Sequence, residues 1–194
     1  MKTINKQEHD KDFDAMEAAA NGHPWGFEYL VRKHQGALIN YFFRFTQNID
    51  TAKELSQEVF LRLYKARLRY RPDSKFTTYL FTIAHNLVVN EVFVKKRPES
   101  TADSNGAADA IPSKNATPED TLIDEENKRK VHDALGRLNE RERSAMVMKY
   151  TEGLSYAEIA EIIGASIPAV ESLLSRAKDK MRTSLAGSTP KKRD

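Results

Sequence analysis

Apolar positions recur along this chain at the spacing of α-helices almost throughout. Asp14 to Ala20 reads as a short helix stopped by Asn21-Gly22. The stretch PWGFEYLVRKHQGALINYFFRFTQN sets Phe27, Leu30, Val31, His34, Leu38, Tyr41, Phe42 and Phe45 on one broad face. DTAKELSQEVFLRLYKARLRY follows, with Asp50 as cap and Leu55, Val59, Leu63 and Leu68 as an apolar row. In FTTYLFTIAHNLVVNEVFVKKR, Thr77 or Thr78 is the expected cap, and Leu80, Ala84, Leu87, Val88 and Val92 face inward. Three further helices are expected at about 119–138, 140–150 and 155–163, then a long last one. No stretch alternates with the two-residue period of a strand, so the fold class is all-α.

The C-terminal pair of helices carries the sharpest local signals. Asn139 to Glu142 and Ser155 to Glu158 each have the form of a capping box, in which cap side chain and glutamate satisfy each other's backbone N–H. Ile159, Ile162 and Ile163 recur at helical spacing, and Gly164 ends the helix because it takes positive φ without penalty. Ser166 caps the next helix and Pro168 fits its first turn. Val170, Leu174, Ala177, Met181 and Leu185 form one stripe; Pro168, Glu171, Ser172, Ser175 and Arg176 lie opposite it. That small polar face suits close approach to a groove, as in a helix-turn-helix. A plain helical hairpin in a bundle has the same local pattern.

Composition divides the chain. Residues 97–120, RPESTADSNGAADAIPSKNATPED, hold one large apolar residue, Ile111, too little burial to offset the entropy of ordering. We expect a helical module over 1–97, a flexible acidic linker over 98–118, a second module over 119–187 and a disordered basic tail over 188–194. Thr117-Pro118-Glu119-Asp120 has the form of a helix start. Net charge is +5 over residues 1–97, −7 over 98–127 and +5 over 128–194. Two basic blocks flanking an acidic one fit contact with a polyanion, and fit an ordinary solvated surface as well. There are no cysteines, which excludes disulfides and thiolate metal sites and fits a cytoplasmic protein. No apolar run reaches membrane-span length, and MKTINKQEHDKDFDAMEAAANG lacks a signal-peptide pattern, so no membrane insertion is expected.

The candidate chemistry is that of binding. Glu54, Gln57, Glu58 and Leu61 share one helix face, fit for a partner or for solvation with Leu61 in a core. Arg67 to Lys75 joins cations, a tyrosine and a turn, a combination suited to single-stranded nucleic acid. Phe76 and Tyr79 fit core positions equally well. His85 is expected on the polar side beside Asn86, as surface. The histidines at 9, 23, 34, 85 and 132 form no i, i+4 pair. With no phosphate-cradling glycine loop and no nucleophile–base spacing, neither an enzyme nor a cofactor is expected.

Three stretches in order give the chain a family likeness. AKELSQEVFLRLYKA (52–66), KFTTYLFTIAHNLVVN (75–90) and LNERERSAMVMKYTEGLSYAEIAEIIGASIPAVESLLSRAKDKMR (138–182) resemble bacterial RNA polymerase sigma factors of the sigma-70 family. The compact two-module form is similar to their extracytoplasmic-function (ECF) group. The likeness covers roughly residues 13–97 and 120–186. It implies a non-enzymatic specificity subunit that binds core RNA polymerase, places it at promoter DNA and helps melt it. By that likeness, Glu54, Gln57, Glu58 and Leu61 bind polymerase, on a coiled coil of its largest subunit. Tyr70, Arg71, Ser74, Lys75, Thr78, Tyr79, Thr82 and Asn86 meet the minus-ten element, Tyr79 standing where the family usually has a structural Trp. Ser166, Pro168, Glu171, Ser172, Ser175, Arg176 and Lys180 meet the minus-thirty-five element, with Arg137, Arg141, Arg143 and Lys149 as its phosphate grip.

The likeness also implies an anti-sigma partner and a linker that runs through the polymerase. Departures stand at Lys53, at Asn90-Glu91, and at Ala169, Glu171 and Leu173, where the family's recognition helix is more basic. They bear on promoter sequence rather than function class. The competing reading is a stand-alone helix-turn-helix regulator with an N-terminal sensing or dimerising domain; it leaves the basic, aromatic 67–79 loop unexplained.

Overall fold

The structure is a computed structural model that describes residues 6–71, 73–94 and 129–186. The expected linker at 98–118, the helix start at Thr117 and the tail at 188–194 lie outside the described residues. Among the described residues every regular element is helical. The order is α1 (Lys6–Ala20), α2 (Pro24–Thr46), α3 (Ile49–Ala66), a 3₁₀ turn (Arg67–Arg69), α4 (Phe76–Val88) and a π-helical turn (Val89–Val94). After the gap come α5 (129–136), α6 (Glu140–Tyr150), α7 (Tyr156–Ile163) and α8 (Ile167–Ala186).

The broad apolar face of α2 builds the first core. Leu30, Leu38, Tyr41 and Phe42 are fully buried, and Met16, Val59, Leu63, Leu80 and Ala84 close on them. At Gly26 the α1 and α2 backbones nearly touch: a Cβ there would collide with the Ala15 carbonyl and the Ala19 amide. In the second group α6, α7 and α8 pack around Ala145, Met148, Ile159, Val170, Leu174 and Ala177, all nearly or fully buried. Helix α4 lies against α7 and α2 against α6, so the two groups share one continuous apolar cluster.

Four local expectations are corrected. Helix α1 starts at Lys6, eight residues before Asp14, in a stretch too polar to show helical spacing. The cap of α3 is Asn48, whose side chain accepts from the Thr51 N–H at 2.9 Å; Asp50 sits inside the first turn. Lys75 holds the cap position of α4 without a side-chain cap bond, and Thr78 is buried within the helix. Leu68 leaves the apolar row because the chain has already turned into 3₁₀ geometry, and its side chain is 71% exposed. Both capping boxes form as expected, and Gly164 takes φ +63°.

Candidate nucleic-acid and partner interfaces

Three surfaces carry the residues expected to bind. On α3, Glu54, Gln57 and Leu61 are exposed, and Glu58 accepts from Arg62 Nε at 2.7 Å. That bond holds the Glu58 carboxyl below its usual range. Leu61 is therefore surface, not core. The face continues through Tyr64 and Leu68, also exposed, which sequence reading placed in no site. Their spacing from Leu61, three and seven residues on, is the signal that would have found them. The Arg67 guanidinium lies 3.8 Å from the Tyr64 ring centroid.

The second surface is the 70–86 region. Tyr70 stacks edge-on against Tyr79, with centroids 5.2 Å apart, and against Phe76. Burial of its ring pushes the Tyr70 hydroxyl up to about 12. Phe76 is core, while Tyr79 is half-buried. Arg71 and Asn86 are exposed and Ser74 is half-buried. The Thr82 hydroxyl donates to the Thr78 carbonyl at 2.8 Å, and Thr78 itself is buried. Lys75 pairs with Glu158 of α7 at 3.1 Å. His85 is not surface as expected: it is 6% exposed, close enough to Arg141 to feel its charge. Burial, then Arg141, push its pKa down to about 4.

The third surface is α8. Its N-terminal turn is capped by Ser166, which accepts from the Ala169 N–H at 3.4 Å. Pro168, Glu171, Ser172, Ser175 and Arg176 share the exposed side, with the Ser172 hydroxyl donating to the Pro168 carbonyl. A cleft of about 630 Å³ between the starts of α6 and α8 is lined by Arg141, Leu173 and Arg176 among others. Leu173 is buried, so of the three departures in this helix only Ala169 and Glu171 reach the solvent side.

The expected phosphate grip is divided by the fold. Arg137 and Arg141 are exposed. Arg143 is buried: it donates to the Arg44 carbonyl and lies 5.1 Å from the Phe45 ring centroid, both on α2. Lys149 donates to the Leu154 carbonyl at 3.1 Å. Lys180 donates to both Glu142 oxygens, at 2.7 and 2.9 Å, and Arg176 lies 3.7 Å from the same carboxylate. Burial opposes the charge on Glu142, but those cations and the Asn139 N–H more than offset it and lower its pKa. Sequence gave no sign of this network, because its partners stand 38 residues apart.

Among the described residues no group of His, Asp or Glu has the arrangement of a metal site, and no helix is long and apolar enough to cross a membrane. Residues 30–97 match the family described as sigma-70 region 2, and residues 128–181 match sigma-70, region 4. The RNA polymerase sigma-H factor of Pseudomonas aeruginosa is 29% identical, the match covering 88% of this chain and 91% of that protein. The ECF RNA polymerase sigma-E factor of Escherichia coli K12 is also 29% identical, over 84% of this chain and 88% of the relative. Among solved structures, CnrH in complex with the cytosolic domain of CnrY has a TM-score of 0.70 at 24% identity, covering 93% of this chain and 100% of that one. The sigma factor RpoE of Bartonella quintana, bound to the anti-sigma factor NepR, has a TM-score of 0.64 at 20% identity, over 84% and 98%. These two show the same fold. With both sigma-70 regions present in order and ECF sigma factors among its relatives, the chain belongs to the sigma-70 family of RNA polymerase sigma factors, in the ECF group.

Proposed function

We propose that this chain is the specificity subunit of a bacterial RNA polymerase: it binds the core enzyme and directs promoter-specific initiation. The observation that carries this is the pair of sigma-70 regions, 2 and 4, found in order on one chain. Residues 1–97 form the polymerase-binding and minus-ten module, 119–187 the minus-thirty-five module, 98–118 the linker and 188–194 a tail. The subunit itself performs no catalysis and acts in the cytoplasm, where the polymerase is. An anti-sigma protein is the expected negative partner, as NepR is for the RpoE of Bartonella quintana.

The exposed α3 face of Glu54, Gln57, Glu58 and Leu61 is the polymerase contact, widened by Tyr64 and Leu68. Acidic groups followed by apolar ones suit a basic, partly apolar partner helix. Tyr70, Arg71, Ser74, Lys75, Thr78, Tyr79, Thr82 and Asn86 hold the melted strand. Cations follow its phosphates and rings stack on its bases. On the duplex, α8 presents Ser172, Ser175 and Arg176 to base edges, with Glu171 placed to accept from a cytosine amine. Arg137 and Arg141 hold phosphate on either side.

The test is transcription in vitro from genomic DNA with core polymerase, sequencing the RNA start points. Starts clustered behind one shared pair of upstream elements, and lost without the chain, are expected. Glu58→Lys reverses the charge beside Arg62 on an exposed turn; it should weaken core binding at least tenfold and leave the helical circular dichroism unchanged. Duplex binding without polymerase, and no starts, would favour the stand-alone regulator instead.

A further inference from the structure

One arginine on the exposed side of α8 has a partner inside the protein. The Arg176 side chain is 61% exposed and lines the cleft between the starts of α6 and α8. Its Nε lies 3.7 Å from Oε1 of Glu142, whose carboxylate is buried. The anion therefore meets the guanidinium from the protein side. Ser172, one turn earlier on α8, lines the same cleft, so the free side of Arg176 faces the place where a base edge would enter.

Glu142 is itself fixed twice over. As the third residue of α6 it closes the capping box, accepting from the Asn139 N–H while its own N–H donates to the Asn139 side chain. From 38 residues away Lys180 donates to both carboxylate oxygens, at 2.9 and 2.7 Å. A carboxylate offers about four acceptor sites, and these bonds take most of them. Arg176 is left at ion-pair distance, beyond a hydrogen bond.

Which nitrogen meets the anion decides what the arginine can do. A guanidinium carries its donors in a planar fork, one on Nε and the rest on the two terminal nitrogens. Reading a guanine takes donors on O6 and N7 together. A carboxylate with free oxygens would bind an arginine bidentate and occupy the fork. Here Lys180 fills those oxygens, and the contact to Glu142 is made through Nε. A surface arginine otherwise samples many rotamers, and binding must offset that freedom. Charge held behind Nε restricts them before DNA arrives.

We infer that Glu142 is a positioning residue for promoter recognition: its buried carboxylate, filled by Lys180, holds Arg176 by Nε and turns the terminal nitrogens toward a guanine. Lys180 then serves the protein rather than a DNA phosphate. This rests on the assignment of α8 to duplex DNA.

The test starts with holoenzyme made from core polymerase and the full chain. Its probe is a promoter duplex in which each base pair of the upstream element, found by mapping start points, is substituted in turn. Arg176→Ala should abolish the preference for a G·C pair at one position. Glu142→Gln retains a side chain that closes the capping box and removes the charge. It should reduce that same preference roughly fivefold and leave the other positions unchanged. The free chain carrying Glu142→Gln should bind a scrambled duplex more tightly and with a steeper salt dependence, because Arg176 and Lys180 are released to phosphate. Weaker binding to both duplexes would mean a loosened helix-turn-helix and overturns the proposal. Lys180→Gln should also reduce the preference, since Arg176 then closes on the carboxylate, and should leave the salt slope unchanged. A slope shallower by about one, with the preference intact, would put Lys180 on a phosphate and overturn it too. If Arg176→Ala loses the preference and Glu142→Gln keeps it, the proposal fails and α8 still reads the duplex. If Arg176→Ala changes no preference, the assignment of Arg176 to a base falls and the proposal with it.

Discussion

The seam between α1 and α2 and the seam between α4 and α7 join helices in different ways. At the first, backbone meets backbone at Gly26, and the polar side chains are paired. Asp12 is 3% exposed, yet accepts from Lys33 at 2.9 Å and lies 3.2 Å from His34 Nε2. At the second, a half-exposed ion pair and a bond to a backbone carbonyl sit among hydroxyls, a carboxylate oxygen, one ring nitrogen and a guanidinium nitrogen with no partner. The difference shows that one continuous apolar cluster can leave buried polar side chains paired at one joint and unpaired at another.

The largest effect should come from closing the gap at Gly26. Gly26→Val drives two methyl groups into the α1 backbone, where no flexible side chain is available to move aside. We expect a loss of about 3 kcal/mol, the upper end for an overpacked core, read as a lower urea midpoint. An unchanged midpoint would mean that α1 does not cross α2 there. Next is Asp12→Ala, which leaves His34 buried without its partner and should lower stability by about 1.5–3 kcal/mol in the same assay. Its carboxyl is held below the usual range because the His34 and Lys33 bonds outweigh the desolvation that opposes them. That stabilisation is present above the ordinary carboxylate range and is lost as pH falls through the lowered value.

The two capping boxes show what the sequence discloses and what it does not. Each was visible as a cap residue three positions before a glutamate, and each forms with both reciprocal bonds. Their remaining carboxylate capacity goes to different places. Glu142 takes Lys180 and Arg176 from its own group of helices, and Glu158 takes Lys75 from the other. Local hydrogen bonds follow from spacing; partners 38 or 83 residues away follow from packing, which spacing does not encode. His85 failed for the same reason. It lies on the polar side of α4 relative to Leu80 and Ala84, yet it is buried, near Arg141 of α6. The candidate surfaces were legible as faces of helices. Which members of each face are already engaged, as with Arg143 and Lys180, was not.

The second seam should weaken in acid already below about pH 6.5, whereas the first, held by the Asp12 carboxyl, weakens only below the ordinary carboxylate range. His85 and His132 are held neutral, each pushed down to about 4, chiefly by burial and then by Arg141 for His85 and Arg143 for His132. Asp133 opposes the shift at His132. A base with a depressed pKa contributes stability that is full above its ordinary value near 6.5 and is lost as pH falls toward 4. Burial pushes Glu152 the other way, up to about 7, with Arg44 opposing. Its contribution is full below the ordinary value of 4.5 and is lost as pH rises through 7. Two histidines outweigh one glutamate, so the seam should be tightest near pH 6.5 and weaken on acidification by about 1–2 kcal/mol. The urea midpoint of the full chain measures this at each pH. Glu152→Gln removes the opposing group and should make the loss of stability in acid steeper; a flat profile would place the histidines away from the seam.

The smallest effect should also be opposite in sign. Tyr41 is fully buried with its hydroxyl unpaired, Ser144 lying beside it without a formed bond. Burial raises the pKa of that hydroxyl and the charge of Glu152 raises it further, so it stays neutral and brings no charge to the seam. Tyr41→Phe keeps the ring that packs edge-on against Phe42 and Phe81 and removes only the unpaired group. Where a buried hydroxyl has no partner, its loss relieves a desolvation cost, and we expect a gain of up to about 1 kcal/mol. The gain should appear as a higher urea midpoint. A lower midpoint for Tyr41→Phe would mean that the hydroxyl is bonded in solution, and that this part of the second seam is built like the first.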